Sequence, residues 1–260
     1  MWSRALLVFA LVAGVAAPDV AEAKPAKPSV VKKPTKTAKK SKKKQAKKRK
    51  KVVSRTPSKA TLRNTKNMPH GYEWPPSKQM LVAEKACREE LETLGVKYKT
   101  AKAEGRIVSA MTIDPDADGN LMLGGIKYKS AWRNGPHKMD CQLALALEGF
   151  GKDLFAAGVR EVKFGSIFRW TNVRVNGETK PILSRHALGI AMDIVSFFDE
   201  TGREANVKKD YGSDDPLLLA VETAVKDSGR FRTLLTPKND PASHSDHFHI
   251  EVFVDYTKQN

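Results

Sequence analysis

The chain has 260 residues, enough for one well-buried domain of ordinary size plus additional sequence, and its 46 Lys and Arg against 29 Asp and Glu give a formal net charge of +17. No apolar run beyond the first residues is long enough to span a bilayer, which argues against a helical membrane protein. No internal repeat is present, and the two cysteines, Cys87 and Cys141, are too far apart for a paired-cysteine redox or zinc motif.

In chain order, residues 1–23 read as a signal peptide: Arg4 is the charged start, "ALLVFALVAGVAA" the apolar core and "AEA" before Lys24 the small-residue cleavage site. The mature protein is therefore expected to be exported, periplasmic or extracellular, with no transmembrane segment once the leader is removed. Residues 24–66 hold nineteen Lys or Arg and no acid, so this stretch alone exceeds the net charge of the whole chain and leaves the rest near neutral. Such a segment buries too little apolar surface to offset its ordering entropy, which predicts a disordered, Lys-rich tether. Its expected partners are anionic cell-envelope polymers or lipids, with a merely solubilising leader as the plainer reading. A nuclear or histone-like role fits the composition but not the export signal.

Residues 67–260 are expected to form the globular domain. Turn-rich "NMPHGYEWPPS" precedes a helix over "KQMLVAEKACREELETLG", and a second helix is predicted over "DCQLALALEGFGKDLFAAG", with Asp140 as its cap and Gly158 just past its end. Strand patterns follow in "VREVKFGSIFRW", "GIAMDIVSFF" and "HFHIEVFV", with another helix over "SDDPLLLAVETAVKDSG". Helices first and strands later point to an α+β fold. Cys87 and Cys141 fall in the first two helices; in an oxidising compartment a disulfide is the expected state, with free thiols the alternative. "DPDADGN" opens like a calcium loop, but its twelfth position is Gly125 instead of a bidentate Glu, so a tight turn is expected.

Three of the six histidines crowd into "SHSDHFHIEV", where Phe248, Ile250 and Val252 alternate as in a strand. Residues two apart on a strand share a face, so His247 and His249 point the same way. Two imidazoles on one face call for a metal or a proton. Upstream, "SRHALGIAMD" places His186 and Asp193 seven apart, with Gly189 and Ala191 between them. A carboxylate entering an apolar strand needs a cation to offset its desolvation. Two imidazoles and one carboxylate are a common open zinc set, with room left for water.

These segments, Ser184, His186, Gly189, Ala191 and Asp193 followed by His244, His247 and His249, resemble the zinc site of the hedgehog/DD-peptidase superfamily. Within it, "DCQLALAL", "LSRHALGIAMDI" and "HSDHFHIEV" are similar to the bacterial extensin-like C-terminal domain family. The resemblance implies a small antiparallel sheet flanked by helices with Zn2+ on the sheet, held by His186, Asp193 and His249. It also implies that His247 and His244 stand beside the ion as proton carriers, and that Arg169, with Arg174 the competing position, faces the reacting carbonyl or a substrate carboxylate. The Glu that carboxypeptidases of the superfamily place shortly before the last ligand is missing from "SHSDHFH", so a histidine base is expected. The implied activity is hydrolysis of amide bonds in peptidoglycan, with the wall or its muropeptides as substrate and a monomer as the working form. The alternative is a non-catalytic zinc-containing protein that binds the cell wall or other polyanions.

Overall fold

The computed structural model describes residues 54–132 and 135–258. The leader and residues 24–53 of the basic segment lie outside the described residues. Residues 54–66, placed in the tether by their charge, pack on the domain. In α1 (Lys59–Arg63) the Ser58 hydroxyl accepts from Thr61 N, Thr61 is buried, and Asn64 Nδ2 then donates to Pro181 O at 2.9 Å. The physical reason is composition: only four of these thirteen residues are basic, and Leu62 supplies apolar surface to the core.

Helix α2 (Lys78–Thr93) starts from Ser77, whose hydroxyl caps Met80 N, and buries Met80, Glu84, Cys87 and Leu91 along one stripe. Five short strands follow: β1 (Tyr98–Thr100), β2 (Ala110–Ile113), β3 (Leu121–Leu123), β4 (Ile126–Ser130) and β5 (Met139–Asp140). "DPDADGN" is the tight turn expected, with Asp116 Oδ1 accepting from the backbone of Asp118 and Asn120. Gly124 and Gly125, both at positive φ, join β3 to β4 in a two-residue hairpin. A Cβ on Gly124 would lie 2.4 Å from Glu148 O, so this turn seats directly on the next helix.

That helix, α3 (Cys141–Ala156), begins where Asp140 caps Gln142 N and ends just before Gly158, as its sequence punctuation predicts. Cys87 and Cys141 are disulfide-bonded, with Cα atoms 6.2 Å apart, and join α2 to the start of α3. The second half of the domain runs β6 (Val159–Ser166), β7 (Asn172–Val175), β8 (Glu178–Leu183), a 3-10 turn (Arg185–Leu188), β9 (Ala191–Asp199) and β10 (Glu204–Asn206). Then come α4 (Val207–Asp210), α5 (Pro216–Asp227), β11 (Phe231–Leu235) and β12 (Phe248–Val252).

The fold is α+β, but its main sheet is larger and more mixed than expected. It has seven strands in the order β11-β12-β9-β6-β4-β3, with β10 added beside β9. All pairs are antiparallel except β4 and β6, which α3 connects by a crossover. The remaining strands form a three-stranded sheet, β1-β2-β5, and the β7-β8 hairpin. On the core side of the main sheet, Ile194, Phe197, Phe248 and Ile250 pack against Leu147 and Phe150 of α3 and Val221 of α5. Strand alternation then sends Asp193, next to Ile194, and His249, between Phe248 and Ile250, to the opposite side. His249 pairs with Asp193 across β12 and β9, and Asp193 with Ser166 across β9 and β6. One row across three neighbouring strands thus carries an imidazole, a carboxylate and a hydroxyl.

Candidate metal centre

His186 joins this row from the 3-10 turn. The Ser184 hydroxyl accepts from His186 N at 3.3 Å, and Gly189 ends the turn at φ 71°. A Cβ on Gly189 would lie 2.8 Å from Asp140 N, so the close return of the chain into β9 requires glycine. His186, Asp193 and His249 are all buried, at 1, 5 and 6% exposure.

Their hydrogen bonds fix which atoms face one another. His186 Nδ1 lies 2.6 Å from Ile167 O; a carbonyl only accepts, so Nδ1 carries the proton and Nε2 keeps its lone pair. His249 Nε2 lies 3.3 Å from Glu251 Oε1, which likewise leaves the lone pair of neutral His249 on Nδ1. Asp193 Oδ2 accepts from Ser166 Oγ at 2.7 Å and from Arg169 Nη2 at 2.8 Å, leaving Oδ1 for the centre. His186 Nε2 and His249 Nδ1 stand 3.0 and 2.8 Å from Asp193 Oδ1 and 3.2 Å from each other. Three acceptors at these separations repel unless a cation lies among them. The distances suit a small metal ion, because tetrahedral bonds of about 2.0 Å separate ligand atoms by roughly 3.3 Å.

A proton answers the same need. The basicity of His249 is pushed up to about 9: burial opposes the charge, but bonds to Asp193 and Glu251 outweigh it. Asp193 is held well below the ordinary carboxylate range, since His186 and His249 overcome the burial that would raise it. Burial lowers His186. The second carboxylate, Glu251, is held at about 2 against its burial by His249, Arg185 and Arg232.

The other expected residues gather around this centre. His247 Nδ1 is 2.7 Å from Asp246 Oδ1, which turns Nε2 inward to 3.5 Å from Asp193 Oδ1. His244 Nδ1 is 2.9 Å from Asp240 Oδ2, and its ring centroid lies 5.0 Å from that of His247 and 5.2 Å from that of His249. Burial, reinforced by His249 and His247, lowers His244 to about 4, so it is neutral at pH 7. Arg169 touches the centre through Asp193, whereas Arg174 donates to Gly177 O at 3.2 Å across its own hairpin and stands on the rim. Arg169, Arg174, His186, His244, His247 and His249, with Asp246 and Glu251, line one cleft of about 350 Å³, and Asp193 lies behind them.

Four residues of the site escape a reading of the metal motifs alone. Glu251, two residues past His249 on the same strand, had a signal in the alternation that pairs His247 with His249. Ser166, Asp240 and the bracing role of Asp246 had none, because strand register and loop return are not local properties. Among the described residues one further set of possible ligands meets, Glu84, Cys87 and Cys141, but its two sulfurs are bonded to each other.

A family model described as extensin-like protein C-terminus matches residues 85–259, a span holding His186, Asp193, His244, His247 and His249. No curated protein and no solved structure matches the chain.

Proposed function

This chain belongs to the extensin-like protein C-terminus family, and from that premise we propose that it is an exported zinc-dependent peptidase of the hedgehog/DD-peptidase kind. It hydrolyses amide bonds in the stem peptides or cross-links of peptidoglycan. The observation that carries this reading is the convergence of His186 Nε2, Asp193 Oδ1 and His249 Nδ1, all buried, to within 2.8–3.2 Å of one another. Nitrogen and oxygen donors in a set of three suit zinc with a position left open.

His186, Asp193 and His249 would hold the ion, and Ser166, Arg169, Glu251 and the Ile167 carbonyl keep their donor atoms aimed. Zinc bound there supplies Lewis acidity toward an amide carbonyl and lowers the pKa of water toward neutrality. His247 presents Nε2 to the cleft while Asp246 holds its other nitrogen, the arrangement of a group that takes a proton from water and returns it to the leaving amine. His244, neutral and braced by Asp240, is the alternative carrier. Arg169 offers its remaining N–H groups to negative charge developing on the substrate. The Lys-rich segment ahead of the domain would hold the enzyme to anionic polymers of the envelope.

Metal analysis of the mature protein, together with incubation on muropeptides, tests the reading. The expected result is about one zinc per chain and release of peptide products, with His186→Ala, Asp193→Ala and His249→Ala each losing the metal while staying folded. Full metal content in all three variants would overturn the site. Zinc without any product would leave a wall-binding protein.

A further inference from the structure

The cleft has a wall that the family-matched span does not supply. Residues 54–56 lie against the start of β7: Asn172 N donates to Arg55 O at 2.8 Å, and Asn172 Nδ2 donates to Ser54 O at 2.7 Å and to Thr56 O at 3.4 Å. Asn172 is 5% exposed, so these bonds are sheltered from water and fix the backbone on both sides of Arg55. Helix α1 anchors the same arm further on, through Asn64 to Pro181 O and Arg106 Nη2 to Leu62 O at 2.9 Å. Arg55 thereby lines the cleft that holds Arg169, Arg174 and His247.

The charges in this cleft are unequally partnered. Asp193 is taken by the two imidazoles and Arg169, Glu251 by His249, Arg185 and Arg232, and Asp246 by His247. None of them pairs with Arg55. A guanidinium held by its backbone at a cleft wall, with no carboxylate of the described residues on it, is a ready fork for a planar anion.

We propose that Arg55 is a substrate-binding residue, which takes the terminal carboxylate of the peptide bound beside the metal centre and so sets a preference for peptides that end in a free acid. This rests on the reading of the cleft as a peptide site. Asn172 is the positioning residue that holds the arm in place. A specificity element then comes from the C-terminal end of the basic segment, outside residues 85–259.

The test is equilibrium binding, which is independent of turnover. The mature chain and its Arg55→Ala, Arg55→Lys and Asn172→Ala variants are titrated with a stem tetrapeptide bearing a free terminal carboxylate and with the same peptide amidated at that end. The unsubstituted chain is expected to favour the acid. Arg55→Ala should weaken acid binding by about ten- to a hundred-fold, the worth of a charge-assisted hydrogen bond, and leave amide binding unchanged. Arg55→Lys should recover part of the loss, because a lysine keeps the charge without the fork. Asn172→Ala should reproduce the Arg55→Ala loss with the charge intact, and because Arg55 is exposed, Arg55→Ala remains informative if the buried Asn172 variant fails to fold. Equal binding of acid and amide by the unsubstituted chain, or an unchanged preference in Arg55→Ala, overturns the role of Arg55 and leaves the peptide site standing. Binding of neither peptide overturns the peptide reading and the inference together.

Discussion

Replacing Glu251 by Gln keeps the shape of the side chain and removes the charge that receives His249 Nε2–H. Outer carboxylates of this kind change metal affinity by about ten- to a hundred-fold, or about 1.4–2.7 kcal/mol. The described domain has about two hundred residues, which at roughly 2.1 cal/mol/K each gives an unfolding entropy of about 0.4 kcal/mol/K. Stabilisation by a bound ion follows its dissociation constant logarithmically, so at fixed excess zinc the zinc-induced rise in Tm should shrink by about 3–7 °C in Glu251→Gln. The substitution also strips a partner from Arg185, which is 2% exposed but keeps bonds to Asn67 O at 3.1 Å and Val252 O at 3.3 Å. That second effect lowers both melts, with and without metal, and cancels in their difference. Calorimetric melting of both forms in chelator and in excess zinc is the assay, backed by chelator competition for the dissociation constant. An undiminished zinc increment in a folded variant would refute the claim that Glu251 tunes the donor atom of His249.

Three further expectations concern other parts of the molecule. His247→Ala should retain its zinc and lose about a hundred- to ten-thousand-fold in muropeptide turnover, with Asp246→Asn losing less; normal turnover in His247→Ala would move the proton role to His244 or Asp246. Glu84 is buried beside Asp140, and burial followed by that neighbour's charge holds its carboxyl proton well above the ordinary range, while burial raises Asp140 to about 6. A raised acid makes the folded state bind more protons than the unfolded, so stability falls as pH climbs from the unfolded value of about 4.5 toward the folded one. Glu84→Gln should therefore gain stability relative to the parent as pH rises above about 4.5, with Tyr256 still donating to residue 84, and a pH-independent difference in denaturant unfolding would count against it. Removing both sulfurs as Cys87→Ala with Cys141→Ala opens a loop of 54 residues, which should cost about 4 kcal/mol and about 10 °C in Tm; a shift under about 2 °C would show that the loop is constrained by other means.

Where physical signals are local, the sequence carries them. Asp140 and Gly158 bracket α3 because a cap and a left-handed stop are properties of single residues, and the spacing of His186, Asp193 and His249 is visible because a tight turn and a strand fix it. The short strands between α2 and α3 are silent by comparison: runs of two to five residues such as Leu121–Leu123 are too brief to establish a period. The parallel contact of β4 with β6 joins segments apart in sequence, across α3, and no local pattern announces it. Ser166 reaches Asp193 only through the register of two strands separated by 27 positions. The boundary of the basic segment was blurred for a different reason. Charge declines gradually along residues 54–66, whereas docking depends on Thr61, Leu62 and Asn64, three residues that composition averages away.

The donors that face the centre do not share one freedom of movement. Asp193 and His249 occupy ladder positions of β9 and β12, interior strands with neighbours on both sides, so neither can swing away without parting backbone pairs. Withdrawing them means a subglobal opening, which proteins reach on the slow end of their exchange timescales. His247 stands one residue before β12, at the end of the connection from β11, and can shift without disturbing the sheet. An ion held here would therefore leave slowly even where free metal is scarce, while His247, if it carries the proton as proposed, would move on the faster clock of a loop. Under the proposed function, residence and turnover would thereby be set by different parts of the same short stretch of chain.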